Sequence, residues 1–481
     1  MTTAQLLTQA RAHHTALRLK EAEALYRQIL SQQPNHPQAT HLLGLIALQC
    51  GYPQPAIELM AQSVRLSPNV PYFHNNIAEA FKAAGRWDLV AQAYENLLKL
   101  VPNDPEAMHG LGVAQDRSGR TGDAVGTLLR TISIHPNYPR AYMSYGAILE
   151  KQARYEEALK YFEKACGLKP DYAKARAARA ASWLRFGDYA RGWPEYEWRW
   201  RVEKFPGRLP ARGVPLWDGS DLGGRRILLY HEQGLGDTIM FARFIPMVAA
   251  RNGHVIVESP PALQALLREV AGVPEVVTPG QPPAHDVQLP LLSLPRLFGT
   301  TLESIPRDVP YLKVPQDRRD AWAGRLGDDG RKKVGLCWTG GQTQPHRSIP
   351  SALLEPLAQV QGVRFISLTK EKLANESPPP LDVIDVMSDV NDFADTAALI
   401  DQLDLVISID TSVAHLAGAL AKPTWTPLAK HADWRWLLDR DDSPWYPTVR
   451  LFRQPDHGDW KSVVDRIARE LAGWAPTTNP S

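Results

Sequence analysis

The stretch from Leu228 to Phe244, LLYHEQGLGDTIMFARF, contains the first residues whose types and spacing could do chemistry. An apolar run ends in a glycine-flanked acidic turn, in which Gly234 and Gly236 stand just before Asp237, and the residues that follow are typical of a helix. A strand that leads through a flexible turn to a helix N-terminus is a common way to build a small-molecule site in an α/β protein. The glycines would let this turn pass close to a substrate, so we place a candidate site here.

A second candidate lies in LVISIDTSVAHLAGALAKP, where a buried strand is followed by Asp410, Thr411 and Ser412 at the start of a helix. Hydroxyl groups beside the free backbone N–H groups of a helix N-terminus suit a phosphate or pyrophosphate. The Asp410 carboxylate could accept hydrogen bonds from sugar hydroxyls. His415, one turn into the helix, could donate to a phosphate or simply pack beneath the loop. The alternative is an ordinary Asp/Thr/Ser helix cap.

Both candidates fall where strands of a parallel sheet are expected to end. Short β-branched runs alternate with helical segments from about Arg225 to Leu312 and again from Lys332 to Leu451, which is typical of βαβ units. We predict two Rossmann-like halves that face a cleft, residues 225–330 and 331–481, with a closing C-terminal helix. Ligands bind such sheets at the carboxyl ends of the strands.

The first 200 residues show an internal repeat. Prolines recur at a spacing of 34 residues, at Pro34, Pro68, Pro102, Pro136 and Pro170. Small and bulky residues fall in phase with them, including Gly44, Ala56, Met60, Gly112, Ala124, Leu128, Gly146, Ala158 and Phe162. This period resembles the tetratricopeptide repeat (TPR), in which small residues let two helices approach, a bulky residue fills the gap and a proline ends the second helix.

We therefore predict an α-helical TPR superhelix over residues 1–200, with about five repeats and a capping unit from Asp171. Aromatic residues of that unit, Trp193, Trp198 and Trp200, are expected to pack on the next domain rather than to form a ligand box. A linker rich in proline and glycine follows at residues 201–224.

Length and composition narrow the class of protein. A chain of 481 residues predicts two or three domains. The 54 Lys and Arg residues nearly balance the 52 Asp and Glu residues, which argues against a nucleic-acid or anionic-membrane partner. Three distant cysteines favour a reducing compartment. No signal peptide or apolar run of ~20 residues is present in the sequence, so we expect a cytoplasmic protein without an integral membrane segment.

From about Arg225 to Ala472 the chain resembles the family-nine glycosyltransferases, which include the bacterial heptosyltransferases. Members have the GT-B fold and carry an Asp-Thr/Ser-Gly-X-X-His segment that contacts the sugar and diphosphate of the donor. Here that segment runs from Asp410 to His415, with Ser412 where the family more often has glycine, so the donor's identity is not carried over. The family also places a Gly-Asp at its first strand–helix turn. The resemblance therefore implies that Asp237 is the general base, with a helix cap as the alternative.

The resemblance also implies how the leaving diphosphate is held. Its charge needs Lys, Arg or helix N-termini, since no metal site or cofactor motif is visible in the sequence. Arg347 matches the family's basic residue that precedes a proline, and Thr339 and Gly340 would line the path of the phosphates. Weaker candidate donor contacts are Lys370, Lys430 and Arg435. Trp434 and Trp436 could stack on a base or sugar, or anchor the packing.

A repeat array joined to a transferase suggests that the array holds a protein and the cleft glycosylates it. Flagellin glycosyltransferases of bacteria resemble this layout. Animal O-GlcNAc transferase does too, although its catalytic motifs are not apparent here. We predict an inverting, metal-independent transfer of a hexose, heptose or nonulosonic acid from a nucleotide-sugar to a Ser or Thr hydroxyl, with flagellin as a candidate acceptor. The alternatives are a lipid or saccharide acceptor, or a scaffold that binds nucleotide-sugar without turnover.

Overall fold

The computed structural model describes residues 1–203, 205, 213–280, 282–340, 345–370 and 377–475. These residues form two compact units, Met1–Ala175 and Arg176–Ser481. The division falls within the predicted capping unit, which begins at Asp171. Much of the predicted linker, residues 206–212, lies outside the described residues.

The first unit is a series of helix pairs. The helices are α1 Thr3–Thr15, α2 Leu19–Gln32, α3 Pro37–Gln49, α4 Pro53–Leu66, α5 Pro71–Ala83, α6 Trp87–Leu100, α7 Pro105–Arg117, α8 Thr121–Ile134, α9 Pro139–Lys151 and α10 Tyr155–Leu168. Each of the five repeated prolines stands two residues beyond the end of the second helix of a pair, as the sequence predicts. The next helix, α11, runs from Ala173 to Arg185 across the unit boundary.

The small and bulky residues of the repeat meet within each pair. A Cβ atom added to Gly112 would lie 2.8 Å from Cγ of Leu128, and one added to Gly146 would lie 2.6 Å from Cε1 of Phe162. Both distances are shorter than real Cβ contacts, so the first helix can approach the second only because it carries glycine at this position. The packing that the 34-residue period predicts is confirmed.

The second unit is α/β and contains two parallel sheets. The strand orders are β3-β2-β1-β4 and β10-β9-β8-β5-β6-β7. The strands are β1 Arg226–Tyr230, β2 His254–Glu258, β3 Glu275–Val277, β4 Val287–Pro290, β5 Lys332–Cys337, β6 Val363–Ser367, β7 Val383–Ile384, β8 Leu405–Ser408, β9 Thr424–Leu428 and β10 Val449–Arg453. Their side chains are mostly buried on both faces, as expected of parallel strands covered by helices.

Helices and short 3₁₀ segments cover the two sheets. The α-helices are α12 Tyr189–Tyr196, α13 Leu235–Phe241, α14 Ile245–Ala249, α15 Pro261–Leu267, α16 Leu294–Leu297, α17 Gln316–Trp322, α18 Phe393–Asp401, α19 Ser412–Ala419 and α20 Trp460–Trp474. The 3₁₀ segments are Glu197–Arg201, Ala242–Phe244, Leu291–Ser293, Pro345–Arg347, Ser351–Gln359, Met387–Asp389 and Trp434–Trp436. In the part of the chain that the structure describes, no helix has both the length and the apolar composition needed to cross a bilayer.

One hydrophobic core extends from α12 through the first sheet to α18 and α19 of the second. The indole of Trp193 on α12 is part of this core, with its ring centroid 5.1 Å from that of Tyr189, 5.4 Å from that of Trp434 and 6.4 Å from that of Trp445. Its Nε1 donates to the carbonyl oxygen of Thr300 at 3.1 Å. The capping helix is therefore part of the α/β unit, because its tryptophan is built into that unit's core.

Candidate functional site

The turn between β1 and α13 brings Asp237 to the carboxyl end of the first sheet. Its Oδ2 accepts a hydrogen bond from the backbone N–H of Gly234 at 3.1 Å, so the carboxylate caps α13. Its Oδ1 forms an ion pair with Arg435, which follows β9 in the second sheet. Asp237 therefore does what the helix-cap alternative requires and also faces the second half of the unit.

Packing that the sequence did not show explains why position 236 is a glycine. A Cβ atom at this position would lie 2.9 Å from Cδ2 of His415 and 3.5 Å from Cα of Ser412. A Cβ at Gly234 would meet only Oδ2 of Asp237, at an ordinary 3.5 Å. Glycine at 236 is thus required for the close approach of α13 to α19, and its role towards a substrate stays a prediction.

The N-terminus of α19 is open. Thr411 occupies the N-cap position, but no side chain among the described residues caps the helix. The Thr411 hydroxyl instead lies 3.2 Å from Oγ of Ser408. The ordinary cap by the side chain of the N-cap residue is therefore not formed, and among the described residues no side chain bonds the first backbone N–H groups of α19.

A chain of ion pairs connects the two candidate turns. Arg347 Nη1 lies 3.1 Å from Oδ2 of Asp410, and its Nη2 lies 3.7 Å from Oδ2 of Asp433. Asp433 Oδ1 lies 2.6 Å from Nη1 of Arg435, whose Nη2 pairs with Asp237. All five residues line a cavity of about 480 Å³ that Ser412 and His415 also border. This chain places three carboxylates and two guanidinium groups around one cavity.

Burial and pairing act in opposite directions on the carboxylates of this charged cavity. Burial raises the pKa of Asp237 and of Asp410, although Arg435 and Arg347 oppose the rise. Burial also acts on Asp433, but Arg435 and Arg347 together hold the pKa of that carboxyl well below its usual range. Asp433 is therefore the constant anion of the chain, while Asp237 and Asp410 are the groups whose protonation can change.

His415 is a neutral, packed imidazole. Burial lowers its pKa to about 3, its Nδ1 lies 2.9 Å from the hydroxyl of Tyr446, and its ring stacks on Trp436 with centroids 5.3 Å apart. Trp434 lies beneath the guanidinium of Arg435, whose Cζ is 4.4 Å from a ring centroid. Both tryptophans of this segment thus anchor the packing around the cavity.

A second cavity of about 350 Å³ adjoins the charged one at the start of α19. The two share Leu235, Gly340, Thr411 and Ser412. The rest of its lining includes the apolar side chains of Ala262, Leu368, Met387, Val390 and Phe393, and the polar side chains of Thr339, Lys370, Asn391, Asp392 and Thr396. An apolar compartment beside a charged one, with open backbone N–H groups at the junction, is suited to a ligand with an apolar ring system and an anionic group.

The remaining predicted site residues fall in different places. Thr339 lines the second cavity and Gly340 borders both, although the Gly340 N–H donates to Oγ of Ser348 at 3.2 Å. Lys370 also lines the second cavity, and its Nζ donates to two backbone carbonyls, of Met387 at 2.9 Å and of Val390.

Lys430 lines neither cavity. Its Nζ donates to the carbonyl of Pro455 at 2.6 Å, which directs the ammonium group to a neighbouring loop. A donor contact from Lys430 was predicted from the sequence, and its position gives that prediction no support. In the described ranges, no group of three His, Cys, Asp or Glu residues is placed to hold a metal ion.

Sequence reasoning missed one acidic residue that lines the site and one that lies next to it. Asp433, which links Arg347 to Arg435, stands two residues before Arg435 in the segment that we considered only for its aromatic residues. Glu232 lies in the turn between β1 and α13, and it is buried against Arg199. The only signal in the sequence was the position of both acids next to residues already considered.

Comparison with known proteins identifies the first unit. Two family models described as tetratricopeptide repeat match the chain, one at residues 7–71 and 75–139 and the other at residues 139–172. The helix pairs of the first unit are tetratricopeptide repeats. The crystal structure of MamA is 27% identical, covers 34% of this chain and 96% of its own, and has a TM-score of 0.32. The crystal structure of YrrB, described as a TPR protein with an unusual peptide-binding site, is 18% identical, covers 36% of this chain and 90% of its own, and has a TM-score of 0.34.

One curated relative extends beyond the TPR unit. Protein FlbA of Caulobacter vibrioides is 30% identical over 337 residues, which is 62% of this chain and 55% of FlbA. The aligned part of this chain is longer than its TPR unit, so the similarity also involves the α/β unit. The match spans about half the length of FlbA.

Proposed function

We propose that this chain is an inverting glycosyltransferase with the GT-B arrangement of two Rossmann-like halves. It transfers a sugar from a nucleotide-sugar donor to a Ser or Thr hydroxyl of a protein that the TPR array recruits. The observation that carries this proposal is the meeting of the apolar and the charged cavity at the open N-terminus of α19. A nucleoside, a diphosphate and a sugar are joined in that order, and the two cavities offer matching surroundings in the same order.

The donor is held mainly by the second half. The apolar cavity takes the base and ribose, with Leu368 and Met387 in its lining. The backbone N–H groups at the start of α19 and the Arg347 guanidinium bind the diphosphate. Asp410, which is buried at the carboxyl end of β8, accepts hydrogen bonds from the hydroxyl groups of the sugar.

Asp237 supplies the base from the first half. The acceptor oxygen attacks the anomeric carbon of the sugar, the bond from that carbon to the diphosphate oxygen breaks, and the hydroxyl proton passes to the Asp237 carboxylate. The charge that develops on the leaving diphosphate is stabilised by Arg347 and the α19 N–H groups. The nucleotide-sugar is a substrate in this reaction, and no cofactor or metal ion takes part in the proposal.

The TPR array is the proposed acceptor-binding part. Solenoids of helical repeats present an extended surface suited to a protein segment, whereas a sugar acceptor would need only the cavity. Flagellin is the first acceptor to test, because the layout of the sequence resembles that of flagellin glycosyltransferases. Lipid and saccharide acceptors are the alternatives.

The test is a screen of ADP-, UDP-, GDP-, dTDP- and CMP-linked sugars with the purified chain, read by chromatography of the released nucleotide and by intact mass of added flagellin. We expect one donor class to be consumed and flagellin to gain a sugar mass. Asp410→Asn should lower turnover by about tenfold or more, as is typical for the loss of a charged hydrogen-bond acceptor. Asp317→Asn, at a carboxylate that is 77% exposed, is the matched control and should change nothing.

The outcomes separate the alternatives. A donor that binds but is never consumed would make the chain a nucleotide-sugar-binding scaffold. If a lipid or a saccharide, and not a protein, stimulates consumption of the donor, the acceptor is that lipid or saccharide and not a protein. If no nucleotide-sugar binds at all, the glycosyltransferase proposal fails.

A further inference from the structure

Arg435 is shared between two carboxylates from different parts of the α/β unit. One face of its guanidinium group packs on Trp434, Nη1 donates to Asp433 at 2.6 Å, and Nη2 donates to Asp237. The side chain is 9% exposed and lines the charged cavity together with Arg347. Its positive charge is thus held at the place where the proposed donor diphosphate must lie.

The cavity cannot receive a diphosphate without some rearrangement of these pairs. Three carboxylates face two guanidinium groups, so the cavity carries more negative than positive charge when all are ionised. A bound diphosphate would add further negative charge. Because phosphate oxygens accept two parallel hydrogen bonds from a guanidinium group, a diphosphate competes directly with a carboxylate for Arg435.

Asp237 is the carboxylate that Arg435 can leave. The Asp433 side chain is held by both Arg347 and Arg435, and the Asp433 carboxylate also accepts the backbone N–H of Arg435 at 3.1 Å. Asp237 accepts a hydrogen bond from only one guanidinium nitrogen of Arg435, and its second carboxylate oxygen accepts the Gly234 N–H. A diphosphate that takes Arg435 from Asp237 therefore has one contact to replace, whereas Asp433 is bound to Arg435 through both the guanidinium group and the backbone N–H.

An ion pair with arginine makes a carboxylate a poor base. The guanidinium group stabilises the charged form of Asp237, whereas burial favours the neutral form. Removal of the arginine leaves burial as the dominant influence, so the affinity of the carboxylate for a proton rises. The same change would suit the transfer step, in which Asp237 must accept the proton of the acceptor hydroxyl.

We propose that Arg435 couples donor binding to activation of the base: the donor diphosphate draws the guanidinium group away from Asp237, and Asp237 becomes competent to accept a proton only when the donor is in place. This coupling rests on the proposed glycosyl transfer. It makes Arg435 a donor-binding residue and also the group that restrains the base in the unliganded chain. Donor is then bound before the acceptor hydroxyl can be deprotonated.

Proton uptake on binding of inorganic pyrophosphate measures this coupling without any need to know the donor. The groups that face Asp237 are Arg435, Asp433, Glu232, Tyr196 and His415. Calorimetric titration near pH 6, in buffers with different ionisation enthalpies, counts the protons bound per pyrophosphate. We expect the wild-type chain to take up more protons than Asp237→Asn, by a difference of at most about half a proton where the pH equals the pKa of the released carboxyl, and by more at a pH between the pKa values of the paired and the released carboxyl.

Arg435→Gln tests the other half of the coupling. It should bind pyrophosphate about tenfold more weakly or worse, because a charge-assisted pair of hydrogen bonds is lost. Its excess proton uptake should also fall, since Asp237 is already released before binding. Arg435→Lys keeps the charge without the bidentate geometry, so its affinity for pyrophosphate should lie between those of the wild-type chain and Arg435→Gln. Thermal melts of every variant establish that each is folded.

Several results would overturn the coupling. Equal proton counts for the wild-type chain and Asp237→Asn would show that Asp237 does not change state. If Arg435→Gln binds pyrophosphate as tightly as the wild-type chain, Arg435 does not bind the anion. If the wild-type chain does not bind pyrophosphate at all, no diphosphate competes with Asp237 for Arg435, and the coupling is wrong. If nucleotide-sugar is consumed while the proton counts are equal, the coupling is wrong and the glycosyltransferase proposal stands.

Discussion

Arg199 and Glu232 form a buried ion pair, with Nε to Oε1 at 2.5 Å and Nη2 to Oε2 at 2.9 Å. Arg199 lies in the 3₁₀ segment after α12, and Glu232 lies in the turn that leads to α13, the helix that carries Asp237. The same guanidinium group donates to Ser293 Oγ at 2.9 Å and to the carbonyl of Tyr196 at 3.1 Å. The 3₁₀ segment Glu197–Arg201 thus holds the turn that precedes Asp237, the proposed base.

Replacement of Arg199 by methionine should destabilise the α/β unit strongly. Glu232 would remain buried without a counter-charge, which typically costs about 3–5 kcal/mol of the free energy of unfolding. Denaturant unfolding gives the measurement. Arg191→Met, which removes an ion pair to Asp188 at a 61% exposed arginine, should cost less than about 1 kcal/mol. Addition of Glu232→Gln to Arg199→Met should recover part of the loss, and equal losses for the two arginine variants would contradict the role of the buried pair.

Whether a chain without the repeats folds should depend on whether it keeps Arg199. A chain that begins at Ala173 keeps α11, α12 and Arg199, and it should fold, bind donor and lose modification of its protein acceptor. A chain that begins at Arg201 lacks Arg199, so it should melt at a much lower temperature or not fold. Thermal melts and intact mass of the acceptor decide both points. Normal modification by the folded chain without repeats would remove the recruiting role of the TPR array.

Asp237→Asn should separate catalysis from donor binding. The amide can still accept the Gly234 N–H, so α13 keeps its cap, but it cannot accept a proton. Turnover should fall by about 100-fold or more, in line with general-base contributions. Donor affinity should rise, because the neutral amide no longer competes with the diphosphate for Arg435. Calorimetry and steady-state rates measure the two effects, and near-normal turnover would leave Asp237 as a helix cap alone.

His415 should make the α/β unit less stable in acid. Its pKa is about 3 in the folded chain, against 6.5 for an ordinary histidine, because burial disfavours the charged ring. Between these values the unfolded chain binds a proton that the folded chain does not, so the free energy of unfolding falls as the pH falls through this window, by at most about 1.4 kcal/mol per pH unit. The difference between the wild-type chain and His415→Gln in denaturant unfolding at pH 7 and pH 4.5 isolates this contribution. Parallel pH dependences would show that His415 charges readily in the fold.

The local parts of this structure could be predicted, and the long-range pairs could not. The 34-residue period predicts the helix pairs because each repeat makes its own packing contacts, and the alternation of strands and helices places Asp237 and Asp410 at strand ends. The bond from Arg435 to Asp237 joins residues 198 positions apart, and no periodicity reports such a pair. Lys370 was predicted as a donor contact because it follows a strand, and it lines the second cavity, but the sequence does not show its bonds to two backbone carbonyls.

The division of the chain between Ala175 and Arg176 has an evolutionary consequence. Helix α12 and the 3₁₀ segment Glu197–Arg201, which support the turn before Asp237, belong to the α/β unit. The repeats before them can therefore be duplicated, lost or exchanged in whole multiples of 34 residues without removal of any side chain that lines the charged cavity. Descendants of one gene can therefore diverge in the number and sequence of their repeats while they inherit the same cavity unchanged.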